Sequence, residues 1–232
     1  GQAVVALDPG GRLNVATPDG PAALHAARVL LATGVREASR HMRLISGDRP
    51  LGVATTGALQ QMVHGRHLLP FRRPVVVGTE LVSLSALLTC RGAGIRPVAM
   101  IEPADRPTVR RAMMLLPRLL GIPVHLDAEL AEIRGSRRVD GVLVRAGDGS
   151  VLDLACDGVL LTGRFVPEAA LVRASHLELD PGSGGPAVDQ FGRCSDPAYY
   201  AAGNLLRPVE TAGWSFREGR RIAGCVADDL AG

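Results

Sequence analysis

The C-terminal part of the chain holds a turn and a long predicted helix that could together bind an electron-rich ligand. Gly203 and Asn204 close the short apolar run "AYYAA", and Thr211 is a candidate N-cap for a helix that starts at Ala212. The first-turn amides and the positive end of a helix attract negative charge. The segment therefore predicts a site for an anion or an electron-rich ring. The alternative is an amphipathic helix packed on a sheet, with Trp214 in the core or at an interface.

A second candidate site is a degenerate dinucleotide fingerprint that runs from Gly78 to Ser83. In the pattern G-x-G-x-x-G the second glycine lets the backbone approach a pyrophosphate. Here Glu80 takes that position, and its charge could cost about 1–4 kcal/mol against phosphate. Glu102 ends the next predicted strand, where it could bind a ribose 2′-hydroxyl and reject a 2′-phosphate, so NAD is favoured over NADP. Gly78, Thr79 and Glu102 are the candidate nucleotide residues; the alternative is a scaffold or subunit interface without nicotinamide chemistry.

Two Thr-Gly pairs, Thr33-Gly34 and Thr162-Gly163, each follow an apolar run. Glycine after a strand lets the backbone come close to a cofactor or to another segment. The same residues also simply terminate strands. Both interpretations are open for each pair.

The elements that must position these residues predict an α/β fold. From Arg72, "RPVVVG", "TELVSLSALLTCRGAG" and "IRPVAMIE" predict a β-α-β unit of a parallel sheet. A helix over 106–121 with a kink at Pro117 follows, and then a strand over 122–127 and alternating strands to residue 163. The arginines of that helix predict a solvated face, or alternatively a membrane-surface or partner helix. Residues 1–71 predict a hairpin, a strand ending at Gly34 and a short helix capped by Thr55 or Thr56.

Composition excludes several classes of function. The chain has 232 residues, 47% of them hydrophobic and 3% aromatic, with a net charge of +3, so a nucleic-acid site is not predicted. The longest apolar run is short and contains Glu80, which predicts no membrane span. Four well-separated cysteines predict buried free thiols in a reducing compartment, and the histidines show no metal-ligand spacing. A G-x-S-x-G nucleophile motif is missing, so hydrolase chemistry has no support.

Taken in order, several strings resemble the FAD/NAD(P)-binding pyridine nucleotide-disulfide oxidoreductase superfamily. They are "RVLLATG" (28–34), "DGVLLTGRFVPEAAL" (157–171) and "GGPAVDQFGRCSDPAYYAAGN" (184–204). Two more, "RPLGVATTGALQQ" (49–61) and "LRPVETAGWSFREGRRIA" (206–223), resemble the branch with the FAD-binding subunits of opine oxidase, hydrogen cyanide synthase and related amine or amino-acid dehydrogenase complexes.

The resemblance implies two Rossmann-like domains, with an NAD-type domain (72–155) inserted into an incomplete FAD-type domain (1–71 and 156–232). Residues 1–71 lack the strand and glycine pattern for the FAD pyrophosphate, so we expect that segment to be absent. Asn204 stands where the family usually has an aspartate. The implied FAD residues are Thr33, Gly34, Thr162, Gly163, Gly203, Asn204, Glu210, Thr211 and Ala212.

The implied function is a cytoplasmic flavin-dependent oxidoreductase, or its FAD-fold subunit, that oxidises an amine, amino acid or opine-like substrate and works with partner subunits. The flavin would carry the chemistry, and no general base is identified. The alternative is a non-catalytic nucleotide-binding or assembly subunit of a dehydrogenase complex. A disulfide reductase is less favoured, because these residues contain no redox-active cysteine pair.

Overall fold

A computed structural model of the chain describes residues 1–209 and 211–232. Its strands are β1 (Ala3–Asp8), β2 (Arg12–Thr17), β3 (Gly20–His25), β4 (Val29–Leu31), β5 (Val35–Glu37), β6 (Ser46–Gly47), β7 (Val53–Thr55), β8 (Pro74–Val77), β9 (Ala99–Ile101), β10 (Val124–His125), β11 (Ala128–Arg134), β12 (Gly141–Ala146), β13 (Val151–Ala155), β14 (Gly158–Leu161), β15 (Phe165–Pro167) and β16 (Tyr199–Ala201). Its α-helices are α1 (Thr56–Gln60), α2 (Leu81–Gly92), α3 (Leu115–Leu119), α4 (Ala170–Arg173) and α5 (Ala212–Ala231).

The chain forms two compact units. The split unit contains Gly1–Arg36 and Phe165–Gly232, and the inserted unit contains Glu37–Arg164. The predicted domain boundaries at 71/72 and 155/156 differ from these. The physical reason is strand pairing: β7 and β14 both pair in parallel within the sheet that contains β8, so both belong to the inserted unit.

The inserted unit is built around a five-stranded parallel sheet with the order β10-β9-β8-β14-β7. The predicted β-α-β arrangement is confirmed in β8, α2 and β9, since β8 and β9 pair in parallel. A second sheet, β13-β12-β11-β6, is antiparallel except where β6 joins β11. The alternating strands predicted between residues 128 and 163 are confirmed as β11 to β14.

Side-chain alternation along β8 explains why helices cover one face of the parallel sheet. Val76 packs with Leu84, Leu87 and other residues of a core that includes the buried face of α2. Val75 and Val77 point the other way and pack with residues of the antiparallel sheet, such as Val142. A strand buried on both faces must be apolar throughout, as "VVV" is. The inserted unit is therefore layered as helices, parallel sheet and antiparallel sheet.

The split unit has a β1-β2-β3 antiparallel meander and a parallel pair, β4 and β16. The predicted hairpin is confirmed in β1 and β2, which turn at Pro9–Gly11. Tyr199 is fully buried and its hydroxyl donates to the carbonyl of Asp8 at 2.6 Å. Tyr200 is also fully buried and donates to Asp229 Oδ2 of α5 at 2.9 Å. The two tyrosines thus tie β16 to the meander on one side and to α5 on the other.

The helix predicted over 106–121 is wrong in its first half. The backbone amides of Thr108 and Val109 donate to the hydroxyl and carbonyl oxygens of Thr79, at 2.9 and 3.2 Å. These bonds hold the segment in an irregular conformation, and helical structure starts only at Arg111 with a 3-10 turn that leads into α3. In the described part of the chain, none of the helices has the length and apolar character needed to cross a membrane.

Candidate cofactor sites at two sheet edges

In the inserted unit, Gly78 and the Thr162-Gly163 pair lie at the carboxyl ends of neighbouring strands. Val77 of β8 is in register with Leu161 of β14, and Thr162 N–H donates to the Val77 carbonyl at 3.0 Å. The sequence assigned Thr162 and Gly163 to a flavin and Gly78 to a nicotinamide nucleotide. The structure instead brings the three residues together at one edge of the parallel sheet.

The Glu80 side chain fills the space between these two strand ends. Glu80 is the N-cap residue of α2, but its carboxylate makes no capping hydrogen bond. Instead Oε2 accepts from Thr162 Oγ1 at 3.0 Å. A Cβ atom placed on either Gly78 or Gly163 would overlap the Glu80 carboxylate. Burial raises the pKa of Glu80 above its usual range, and the charge of Glu102 adds to this, while Arg43 and the Thr162 bond oppose it.

Glu102 is buried and engaged with the turn that follows β8. Its Oε2 accepts from the Thr79 amide at 3.1 Å and from the Thr79 hydroxyl at 2.5 Å, and its Oε1 accepts from the Ala104 amide at 3.1 Å. Thr79 itself is fully buried. The carboxylate that the sequence assigns to a ribose thus holds the β8–α2 turn in place.

Two arginines that the sequence did not single out, Arg43 and Arg164, help to line a cavity of about 330 Å³ beside Glu80. Arg43 donates to the carbonyls of Thr162 and Gly163 at 2.7 and 3.0 Å. Burial lowers the pKa of Arg43, and the nearby charge of Arg164 lowers it further. Arg164 is exposed and adopts a left-handed backbone with φ of 47°. Only its position directly after the "TG" pair could have drawn attention to it, and Arg43 lies in an irregular segment with no motif.

In the split unit, Gly34 and Gly203 follow the parallel strands β4 and β16, whose ends are in register at Leu31 and Ala201. Both glycines have a left-handed φ of 75°. A Cβ atom on Gly34 would meet nothing within 4 Å, and one on Gly203 would come no closer than 3.8 Å to the Ser215 side chain. The edge of the split unit is therefore open, whereas the edge of the inserted unit is filled by the Glu80 side chain.

Some of the polar groups predicted at the open edge are already engaged. The Gly203 amide donates to Glu218 Oε2 at 2.6 Å, and Asn204 Oδ1 accepts from Ser215 Oγ at 2.6 Å. The Thr33 hydroxyl donates to the Glu168 carbonyl at 2.7 Å. Asn204 keeps its amide nitrogen as a donor, since its oxygen takes the bond from Ser215.

The N-terminus of α5 is the second feature of the split unit. The helix begins at Ala212 after Thr211, as predicted, although the Thr211 side chain makes no capping bond. The Thr211 carbonyl accepts from the Ser215 amide at 3.1 Å. Among the described residues, nothing accepts the amides of Ala212, Gly213 and Trp214, all of which are exposed. Glu210, which the sequence also assigns to this site, lies outside the described residues.

Comparison with known proteins defines the class of the chain. Residues 1–219 match the family model described as pyridine nucleotide-disulphide oxidoreductase. The chain belongs to this family, and the predicted resemblance and the predicted FAD/NAD(P)-binding Rossmann-like fold are confirmed. The narrower branch of opine oxidase and hydrogen cyanide synthase subunits stays a prediction.

Particular relatives are similar at low identity. The chain is 28% identical over 186 residues to the probable ferredoxin reductase CtmF of Castellaniella defragrans, an alignment that covers 72% of this chain and 44% of that protein. The chain thus spans less than half the length of this relative. Thioredoxin reductase of T. acidophilum superposes with a TM-score of 0.82 at 21% identity, covering 100% of this chain and 75% of that one. An FAD-dependent pyridine nucleotide-disulphide oxidoreductase from Desulfovibrio vulgaris superposes with a TM-score of 0.76 at 22% identity. The superposition covers 98% of this chain and 61% of that one.

The two edges fit the cofactors implied by the family differently. At the edge of the split unit, the first-turn amides of α5, which have no acceptor among the described residues, and the open space over Gly34 and Gly203 suit an electron-rich ring. The residues present therefore fit the flavin end of FAD. At the edge of the inserted unit, the Glu80 carboxylate takes the place where a pyrophosphate would approach Gly78 and Gly163. The residues present do not fit a pyridine dinucleotide.

Proposed function

We propose that this chain belongs to a flavin-dependent oxidoreductase in which FAD lies at the edge of the split unit. The observation that carries the proposal is the contrast between the two edges: Gly34 and Gly203 face open space, whereas Gly78 and Gly163 are covered by Glu80. In open parallel sheets, ligands bind beyond the carboxyl ends of the strands. Family membership supports the same cofactor.

The α5 amides of Ala212, Gly213 and Trp214 would donate to the pyrimidine edge of the flavin, and the positive end of the helix would hold negative charge there. When bound, FAD would supply two-electron transfer between a substrate and an acceptor. The Asn204 amide would donate to a hydroxyl or phosphate oxygen. Gly34 and Gly203 would let the ligand approach the backbone, because neither carries a side chain.

The substrate we propose is an amine, amino acid or opine-like small molecule that serves as the electron donor. The support is the resemblance of residues 49–61 and 206–223 to subunits of such dehydrogenases, together with the poor fit of a pyridine dinucleotide to the inserted unit. We also propose partner subunits and a cytoplasmic location; four free cysteines are in keeping with a reducing compartment. The relative named as a probable ferredoxin reductase supports a protein carrier as the electron acceptor.

The test uses the natural full-length protein purified with its partners. We expect the visible absorbance of oxidised flavin, and anaerobic addition of amines, amino acids and opines should bleach it with one of these classes. A colourless complex with all partners present would contradict the proposal. Bleaching by NADH alone would contradict the proposed electron donor and leave the flavin site standing.

A second candidate is a non-catalytic nucleotide-binding or assembly subunit. The filled edge of the inserted unit favours it, since that unit would then serve only as scaffold. One measurement separates the two candidates. A non-catalytic subunit would bind a nucleotide, but its absorbance would not change when substrates or reductants are added.

A further inference from the structure

The inserted unit keeps most of what a dinucleotide site needs. Gly78 follows β8 with a left-handed φ of 119°, so the first position of the fingerprint retains its sharp turn. Ser83 stands at the third position, where it is fully buried and its hydroxyl donates to the Glu80 carbonyl at 2.5 Å. Its small side chain therefore allows α2 to pack closely. The helix has 12 residues, enough to present a dipole and free amides to an anion.

The residue at the second position of the fingerprint, Glu80, obstructs the binding of a dinucleotide. From the N-cap of α2, the Glu80 side chain reaches across to Thr162, which directly follows β14, and covers both Gly78 and Gly163. A pyrophosphate on the helix axis would need this space. It would also face a carboxylate, and like charges at close range repel strongly where burial lowers the dielectric.

The two arginines beside the cavity form no ion pair with Glu80. Among the described residues, neither Arg43 nor Arg164 forms an ion pair within 4.0 Å of a carboxylate. Arg43 is instead committed to the carbonyls of Ala38, Thr162 and Gly163. The cavity is thus lined by two arginines and by the carboxylates of Glu80, Glu102 and Glu129, and removing the Glu80 carboxylate makes this lining less repulsive to an anion.

We infer that the Glu80 carboxylate closes this site to pyridine dinucleotides, while the sharp turn at Gly78, the small residue at position 83 and the N-terminus of α2 are kept. The side chain occupies the position of a phosphate and acts as a specificity residue by exclusion. Removing its carboxylate while keeping the helix N-cap backbone opens the site to NADH.

The test measures NADH binding to the full chain by calorimetric titration, for the natural sequence and for Glu80→Ala, Glu80→Gln and Glu129→Ala. Glu129→Ala is the matched control, because Glu129 lines the same cavity, is exposed, and gives the same change in charge. Titrations are done with saturating FAD present, so that NADH cannot occupy the open edge of the split unit. Circular dichroism and the melting temperature confirm that each variant is folded.

We expect Glu80→Ala to bind NADH at least roughly ten-fold more tightly than both the natural chain and Glu129→Ala. The affinity of Glu80→Gln for NADH should lie between those of the natural chain and Glu80→Ala, because glutamine removes the charge and keeps the bulk. The inference is overturned if the natural chain binds NADH as tightly as Glu80→Ala, or if a folded Glu80→Ala gains no affinity. A protein that binds no FAD would refute the proposed function, but the comparison of Glu80→Ala with Glu129→Ala would still test this inference, because both variants leave the split unit unchanged.

Discussion

At the scale of single residues, Glu80 combines partial burial, a hydrogen bond from Thr162 and a carboxylate in a place where a fold of this kind can hold phosphate. The sequence showed the unusual residue type in the fingerprint, but it could not show where the side chain points. That direction depends on Thr162, which comes much later in the chain and meets Glu80 only because β14 pairs with β8. The position of Arg43 was indicated even less by the sequence. Its partners are backbone carbonyls, and every residue has one whatever its type.

Replacing Glu80 by glutamine should change how stability depends on pH. The folded protein raises the pKa of Glu80, chiefly through burial, so the folded state binds the proton more tightly than the unfolded state does. This contribution to stability is complete below the unfolded pKa and is lost as pH rises through the folded value. Glu80→Gln does not titrate, so it should gain stability relative to the natural chain as pH rises from about 4.5. Urea unfolding across this range measures the difference.

The same series with Glu129→Gln provides the control, because Glu129 is exposed. A pH-independent difference between Glu80→Gln and the natural chain would show that folding leaves the pKa of Glu80 unchanged.

The four cysteines should differ in reactivity. Burial raises the pKa of Cys90 and Cys194 to about 12 and also raises that of Cys156, so these thiols are protonated and shielded at neutral pH. Cys225 is only partly buried. A thiol-specific reagent should therefore modify Cys225 first in the native protein and all four in denaturant. Peptide mapping of the modified protein checks the order, and early labelling of Cys90 would contradict the packing of α2.

At the scale of elements, the start of α5 is the part of the proposed flavin site that can be altered most cleanly. Ala212→Pro removes the first amide donor of the helix, and proline is well tolerated at this position. The preceding Thr211 has an extended backbone with ψ of 158°, which suits a residue before proline. We expect weaker FAD binding by about 1 kcal/mol, roughly five-fold.

Ala212→Ser keeps the amide and serves as the matched control. Equal FAD affinities for the proline and serine variants, measured by fluorescence titration, would show that this amide does not contact the flavin.

Element types were largely predictable and their partners were not. The apolar run of β8 and the helical pattern of α2 identified a β-α-β unit, because a strand covered on both faces must be apolar. The start of α3 was mispredicted, since Thr79 captures the amides of Thr108 and Val109 from a distant part of the chain. No local pattern records such a bond. Sequence order also did not show that Thr162, assigned to the flavin, lies beside Val77 at the edge of the inserted unit.

At the scale of the whole molecule, individual strands differ in how deeply they are buried. Every residue of β8, β9 and β14 is buried, whereas β3 is exposed over most of its length. Amides of deeply packed strands exchange only through large-scale opening, and those of exposed strands through local fraying. Hydrogen exchange followed by mass spectrometry should therefore find the slowest amides in β8 and β14 and fast exchange in β3.

Strong protection of β3 in the full-length protein would contradict this order. It would show that the exposed face of the meander is covered there. The matched comparison is β12, an internal antiparallel strand with half of its residues buried, which should exchange more slowly than β3.

The covering of Gly78 and Gly163 by one side chain also has a genetic consequence. Both codons for glutamate become codons for glycine through a change of their second base, so the closed and open forms of this edge are separated by a single mutational step. If the inserted unit acts as inferred, selection could switch its dinucleotide binding on or off without rebuilding the sheet, the helix or the cavity. A library of codon-80 variants, screened for NADH capture, would sample that step directly.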